Sequence, residues 1–170
     1  MKKKIKLIIT IALLSIVGYL GYKIASKLNH KKEVAARIQH LPDFSFTTIQ
    51  GAAFTQDHLQ NKPTVFVYFN SDCDYCKSEA AKIQKRLSAF KNVQLIFISF
   101  EKSEAIQQFA KDYKLNDQEN VLFLEDKKGL FSQLFDANTI PYLLVYDTNR
   151  KLLQKFKGAT KVDWILGALK

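Results

Sequence analysis

The sequence predicts a domain of the α/β class, built on a mixed β-sheet with helices on both faces and preceded by one apolar helix. Two observations lead to this fold class. Segments with strand and helix patterns alternate along the chain and end in a hairpin and a helix, in the order β-β-β-α-β-α-β-α-β-β-α. The third strand, TVFVYF at 64–69, is apolar throughout, as expected for a central strand that is covered on both faces.

The individual elements follow from the spacing of apolar residues. Phe44 and Phe46 alternate with polar residues and predict a half-buried first strand, and Gly51 suits the turn before a return strand at 53–54. After the third strand, the pattern predicts a helix over 74–90, a strand over 93–100, a helix over about 102–114, a strand over 121–124, a helix over 128–135 and a hairpin of strands over 142–146 and 151–156.

A final helix is predicted near the carboxyl end. Thr160, with Asp163 three residues later, resembles a capping box. Trp164, Ile165 and Leu169 are expected to form the apolar face of this helix.

The charge of the chain is concentrated near its start. The net charge is +10, of which residues 1–40 contribute +8 and the remaining 130 residues only +2. A nucleic-acid-binding domain would carry its basic residues on the folded surface, so this class of function is not expected.

The basic residues flank an uncharged segment, LIITIALLSIVGYLGY, at 7–22. With two preceding positions it spans about 27 Å as a helix, close to the thickness of the hydrocarbon core. We therefore predict a membrane anchor (1–24), a basic tether (25–40) and a folded domain (41–170). A cleavable signal peptide and a buried helix are the alternatives, but the first would have a shorter apolar region and a small-x-small site.

Only two cysteines occur, in the motif Cys73-Asp74-Tyr75-Cys76, between a buried strand and a predicted helix. Two intervening residues let the sulfurs meet across the first helical turn. The first sulfur lies near the unpaired N–H groups of the helix start, which favour the attacking thiolate. The second lies one turn in and can resolve a mixed disulfide.

Two other interpretations of the motif remain open. Zinc needs about four ligands, and the sequence offers no further cysteine and no histidine at ligand spacing. An inert structural disulfide would close almost no loop and add little stability.

With this motif the chain resembles the TlpA/ResA-like branch of the thioredoxin superfamily, which are membrane-anchored or exported thiol–disulfide oxidoreductases. The resemblance covers residues 41–170. Its marks are LPDFSF at 41–46, Gly51, Leu59, Lys62, FAKDY at 109–113 and TIPY at 139–142.

The resemblance implies a thioredoxin-like fold and a redox-active Cys73–Cys76 pair that exchanges disulfides with partner proteins. It implies that Pro141 is cis and faces the pair, and that Glu79 matches an acidic residue near the active site. The alternatives are a trans Pro141 and a solvated Glu79 in the first helical turn.

The resemblance also implies where the protein works and with what. No metal or organic cofactor is expected. Electrons would come from a membrane or extracytoplasmic dithiol donor. The expected location is the bacterial cytoplasmic membrane, with a single-pass signal-anchor and the catalytic domain facing the periplasm or the cell exterior.

The sequence departs from this family at three positions. Asp72 stands where the family has Trp, Tyr75 where it often has Pro, and Val67 where thioredoxins proper keep a buried Asp. Negative charge at Asp72 and Asp74 disfavours a thiolate, which predicts that the pair acts as a reductant.

Three rival functions share the fold class. A peroxiredoxin-like peroxidase would have Pro seven positions and Thr or Ser three positions before its cysteine, where this chain has Phe66 and Asn70. A copper-handling protein would have a C-x-x-x-C motif and a distal histidine. A non-catalytic interaction module is the third rival.

Overall fold

The computed structural model describes the backbone of residues 2–170, and the side chains of residue 6 and residues 13–170. The chain forms two compact units, residues 1–36 and residues 37–170. Helix α1 (Lys2–Ile38) covers both the predicted anchor and most of the predicted tether.

Helix α1 gives no support to the predicted transmembrane helix. In the portion of the chain that the structure describes, no helix combines the length and the apolarity that crossing a membrane requires. Part of the predicted span, residues 7–12, lies outside the described side chains.

The second unit is built on one seven-stranded sheet with the order β2-β1-β5-β4-β3-β6-β7. The three inner strands β5, β4 and β3 run parallel, and the neighbouring pairs toward both edges are antiparallel, so the sheet is mixed as predicted. The strands are β1 (Ser45–Thr48), β2 (Ala53–Thr55), β3 (Thr64–Tyr68), β4 (Gln94–Ser99), β5 (Val121–Glu125), β6 (Tyr142–Tyr146) and β7 (Leu152–Lys157).

Three helices connect strands and a fourth follows the last strand, in the predicted order: α2 (Asp74–Lys85), α3 (Ser103–Asp112), α4 (Leu130–Phe135) and α5 (Val162–Ala168). The helices cover both faces of the sheet. The side chains of β3 show this, because successive residues of a strand point to opposite faces. Val65 and Val67 belong to a core cluster with apolar residues of α2, α3 and α5. On the opposite face, Phe66 and Tyr68 contact the ring of Phe131 in α4.

Strand β3 is buried over its whole length and pairs with β4 on one side and β6 on the other. This confirms the prediction of a central strand from its apolar run. The loop that leaves β3 therefore starts from a position fixed on both sides; it ends at Cys73, and Cys76 follows in the first turn of the next helix.

Two details of the predicted helices are wrong. The helix predicted over 74–90 ends at Lys85, and a separate 3₁₀ helix follows over Leu87–Phe90. A 3₁₀ helix has three residues per turn, so Leu87 and Phe90 lie on the same side. The same three-residue spacing occurs in an α-helix, which is why the sequence pattern suggested a longer α2.

The capping box predicted before α5 does not form. The N-cap is Lys161, the Thr160 backbone N–H bonds to Glu79, and Asp163 forms an ion pair with Arg86. Trp164 is 58% exposed and does not belong to the apolar face, whereas Ile165 is fully buried.

Candidate active site

The first cysteine caps the helix that follows the central strand. Cys73 is the N-cap of α2, with φ −78° and ψ 114°, and its Sγ accepts the backbone N–H of Cys76 at 3.3 Å. The preceding turn is fixed by Asn70, whose carbonyl accepts the Cys73 N–H at 3.2 Å and whose Oδ1 accepts the Asp72 N–H at 2.8 Å. This turn directs the Cys73 sulfur toward the unpaired N–H groups of the first helical turn.

The two sulfurs lie in different environments. Both cysteines are free thiols; Cys73 is half-buried, and Cys76 is only 2% exposed. Burial raises the pKa of Cys76 to about 12, with further contributions from Cys73 and from the negative charge of Glu101. Cys76 is therefore protonated at neutral pH, and Cys73 is the sulfur that a partner can reach.

The structure also places Pro141 beside the pair. The Ile140–Pro141 peptide bond is cis, which confirms the predicted cis bond and shows that the trans alternative is wrong. The carbonyl oxygen of Ile140 lies 4.0 Å from Cys73 Sγ, and the Pro141 carbonyl accepts the Gly158 N–H at 2.8 Å. The segment before β6 thus forms one wall around the Cys73 sulfur.

Glu79 lies one turn beyond Cys76 on the buried face of α2. It is fully buried, so the alternative of a solvated first-turn residue is wrong. Its Oε2 accepts the Thr160 backbone N–H at 2.8 Å, while Glu79 Oε1 and Thr160 Oγ1 have no hydrogen-bond partner among the described residues. Burial raises the pKa of Glu79, against the opposing effects of the Thr160 N–H and Lys82.

One carboxylate of the site was not predicted from the sequence. Glu101 lies two residues after the end of β4 and accepts the Ser71 N–H at 2.7 Å, the Ser71 hydroxyl at 2.7 Å and the Ser99 hydroxyl at 3.0 Å. Because β3 and β4 are parallel neighbours, residues that follow them meet at one edge of the sheet. That topology is the signal that would have identified Glu101.

The two aspartates of the motif face solvent. Asp74 has a side chain that is 94% exposed and lies 3.5 Å from Lys77 Nζ, and Asp72 is also exposed. Solvent and Lys77 weaken the influence of these charges on the cysteines. Tyr75, between the cysteines, is 70% exposed and leaves an aromatic surface next to the sulfur.

The sequence matches a known protein family and a related protein over most of its length. The profile of the AhpC/TSA family matches residues 38–161. The chain is 27% identical over 146 residues to the thioredoxin-like protein YneN of Bacillus subtilis, covering 83% of this chain and 82% of YneN.

Solved structures show the same fold. A secreted Mycobacterium tuberculosis disulfide oxidoreductase homologous to E. coli DsbE has a TM-score of 0.63 and 25% identity, covering 78% of this chain and 96% of that one. The peroxidoxin BcpB of the same organism has a TM-score of 0.65 but 18% identity, covering 76% and 92%. The predicted thioredoxin-like fold is confirmed, and oxidoreductases and a peroxidoxin share it.

Proposed function

Because the chain belongs to the AhpC/TSA family, we propose that it is a thiol–disulfide oxidoreductase that exchanges disulfides with partner proteins. The observation that carries the proposal is the asymmetry of the pair. Cys73 Sγ lies at the start of α2, where it accepts a backbone N–H, whereas Cys76 is buried and protonated. An attacking and a resolving sulfur need these two environments.

The reaction proceeds in two exchanges. The Cys73 thiolate attacks one sulfur of a partner disulfide, the partner's S–S bond breaks, and its other sulfur leaves as a thiolate that takes up a proton. Cys76 then gives up its proton and attacks Cys73 Sγ, which forms the Cys73–Cys76 disulfide and releases the partner as a dithiol. The partner gains two electrons, and an external dithiol donor must return two electrons to the pair.

The direction that we propose is reduction of the partner. Strongly oxidising pairs stabilise their dithiol form through a thiolate. Here Asp72 and Asp74 place negative charge next to Cys73, and burial and Glu101 hold Cys76 as a thiol, so ionisation stabilises the dithiol form little. Such a pair gives up electrons more readily than one whose reduced form is stabilised.

Trapping of the mixed disulfide tests the exchange reaction. Changing Cys76→Ser leaves the attacking sulfur and removes the resolving one, which is otherwise held close to Cys73 at high effective concentration. Covalent adducts with partner proteins should accumulate in cells and be released by dithiothreitol. The matched control is Cys73→Ser combined with Cys76→Ser, which should give none.

Two other outcomes would favour the rival functions. If adducts do not exceed those of the double variant, the non-catalytic or copper-handling interaction module replaces the oxidoreductase. If the purified wild-type protein consumes peroxide faster than it reduces a protein disulfide, the peroxidase takes its place.

We also propose that the domain works outside the cytoplasm, tethered to the membrane. The sequence at 7–22 carries no charge, and described side chains of α1 such as Leu13, Leu14 and Val17 are more than half exposed. The similar M. tuberculosis oxidoreductase is described as secreted. Partners would then be extracytoplasmic proteins with cysteines or disulfides, together with a dithiol donor in the same compartment.

Membrane fractionation tests this location. The full-length protein should stay in the membrane pellet after an alkaline wash, and Leu13→Asp with Val17→Asp should release it, since each charge costs about 2.5–3.5 kcal/mol at the centre of a spanning helix. Release of the unchanged protein by salt alone would show that the lysines hold it and that there is no anchor.

A further inference from the structure

Glu101 is tied to the cysteine loop by its whole carboxylate. Oε1 accepts the Ser71 hydroxyl, and Oε2 accepts both the Ser71 N–H and the Ser99 hydroxyl, at 2.7, 2.7 and 3.0 Å. Ser99 is fully buried at the end of β4. An ionised carboxylate is an acceptor only, and this one has donors on both of its oxygens.

These bonds fix the loop that leads to the reactive sulfur. Ser71 lies two residues before Cys73, and the neighbouring Phe69 N–H donates to the Ile98 carbonyl of β4 at 3.0 Å. The segment between β3 and α2 is therefore held to the end of β4 at two points. Loss of the Glu101 contacts would free the middle of this segment.

The same carboxylate acts on the second sulfur. Its negative charge raises the pKa of Cys76, in addition to the larger effects of burial and of Cys73. The nearby Lys77 is engaged with Asp74. Once Cys73 is bonded to a partner sulfur, it no longer carries a charge, so Glu101 is the acidic group that continues to oppose ionisation of Cys76.

We propose that Glu101 is a positioning residue that favours Cys73 over Cys76 as the attacking sulfur: it holds the loop that carries Cys73, and it keeps a negative charge near the pair. The role rests on the proposed exchange reaction. Its physical basis, a carboxylate that suppresses ionisation of one named sulfur, is measurable without any partner protein.

The test measures alkylation of Cys76 by iodoacetamide in a Cys73→Ser background, where Cys76 is the only sulfur that the reagent attacks as a thiolate. Glu101→Gln keeps the shape, and the Ser71 and Ser99 hydroxyls can turn to accept from the new amide. We expect labelling at pH 8 to become about twofold faster or more, because the lost charge no longer opposes formation of the reacting thiolate.

Three controls separate charge from loop structure. Glu104→Gln removes the same charge from an exposed position in the first turn of α3 and should leave the rate unchanged. Ser71→Ala removes loop hydrogen bonding but keeps the charge, and it should not accelerate labelling. Glu101→Asp retains the charge and should return the rate toward that of the background protein.

An unchanged rate in Glu101→Gln, or an equal increase in Glu104→Gln or Ser71→Ala, would overturn the proposal. Circular dichroism and a thiolate absorbance titration exclude unfolding, which would bring the Cys76 pKa to an ordinary thiol value of about 8.5. Failure of partner trapping would reject the exchange reaction and leave this measurement intact, so the two hypotheses fail separately.

Discussion

Alkylation of the reduced wild-type protein at pH 8 should place the first label on Cys73. An ordinary exposed thiol with a pKa of about 8.5 is roughly one quarter thiolate at that pH. With its pKa raised to about 12, Cys76 is thiolate in about one molecule in ten thousand. Since the thiolate is the reacting species, Cys76 should react about three orders of magnitude more slowly than an ordinary thiol, before burial slows the reagent further.

The assay is a brief exposure to iodoacetamide, followed by fragmentation mass spectrometry of the peptide that contains both cysteines. The rate at Cys76 should rise about tenfold per pH unit between pH 8 and 10, because the thiol form predominates throughout that range. In urea, where burial is lost, both cysteines should react at similar rates. A first label on Cys76, or one shared evenly in the folded protein, would refute the assignment of attacking and resolving roles.

Two further predictions concern stability. The folded state holds the Glu79 proton to a higher pH than the unfolded chain does, so the contribution of Glu79 to stability should fall as pH rises above 4.5, by up to about 1.4 kcal/mol per unit until the folded-state pKa is passed. Glu79→Gln should lack this decrease, and parallel urea-unfolding curves for the two proteins from pH 4 to 7 would contradict the burial argument. In the last helix, Ile165→Ala should cost about 2–5 kcal/mol, whereas Trp164→Ala, at a position 58% exposed, should change stability by about 0.5 kcal/mol or less. Equal losses in chemical denaturation would show that Trp164 packs as the sequence pattern suggested.

The order of the strands and helices could be predicted from the sequence, because each element has its own pattern of apolar and polar residues within a short segment. The buried run of β3, the Cys73–Cys76 spacing and the proline before β6 are all of this kind. The burial of Glu79 could also have been predicted from the sequence, since Glu79 lies three residues after Cys76 and four before Ile83, on the face of α2 that the core covers.

Features that depend on tertiary contacts could not be predicted in this way. Glu101 reaches Ser71 across thirty positions of sequence, and Thr160 gives its N–H to Glu79 across 81. The predicted capping box failed because Asp163 meets Arg86, a partner that only the folded chain brings near. The transmembrane helix remains a proposal, since the described part of α1 gives it no structural support.

The two outer strands of the sheet have a consequence for how copies of this protein behave at high concentration. An unpaired strand edge is a template on which another chain can add a strand and start an aggregate. Here β2 is only three residues long, while β7 carries a bulge opposite Val145 and Tyr146 and exposes Lys155 and Lys157. A short edge at one side and a bulged, charged edge at the other disfavour the stacking of domains edge to edge. The exposed side of each edge strand is thereby protected against pairing with a second copy of the domain.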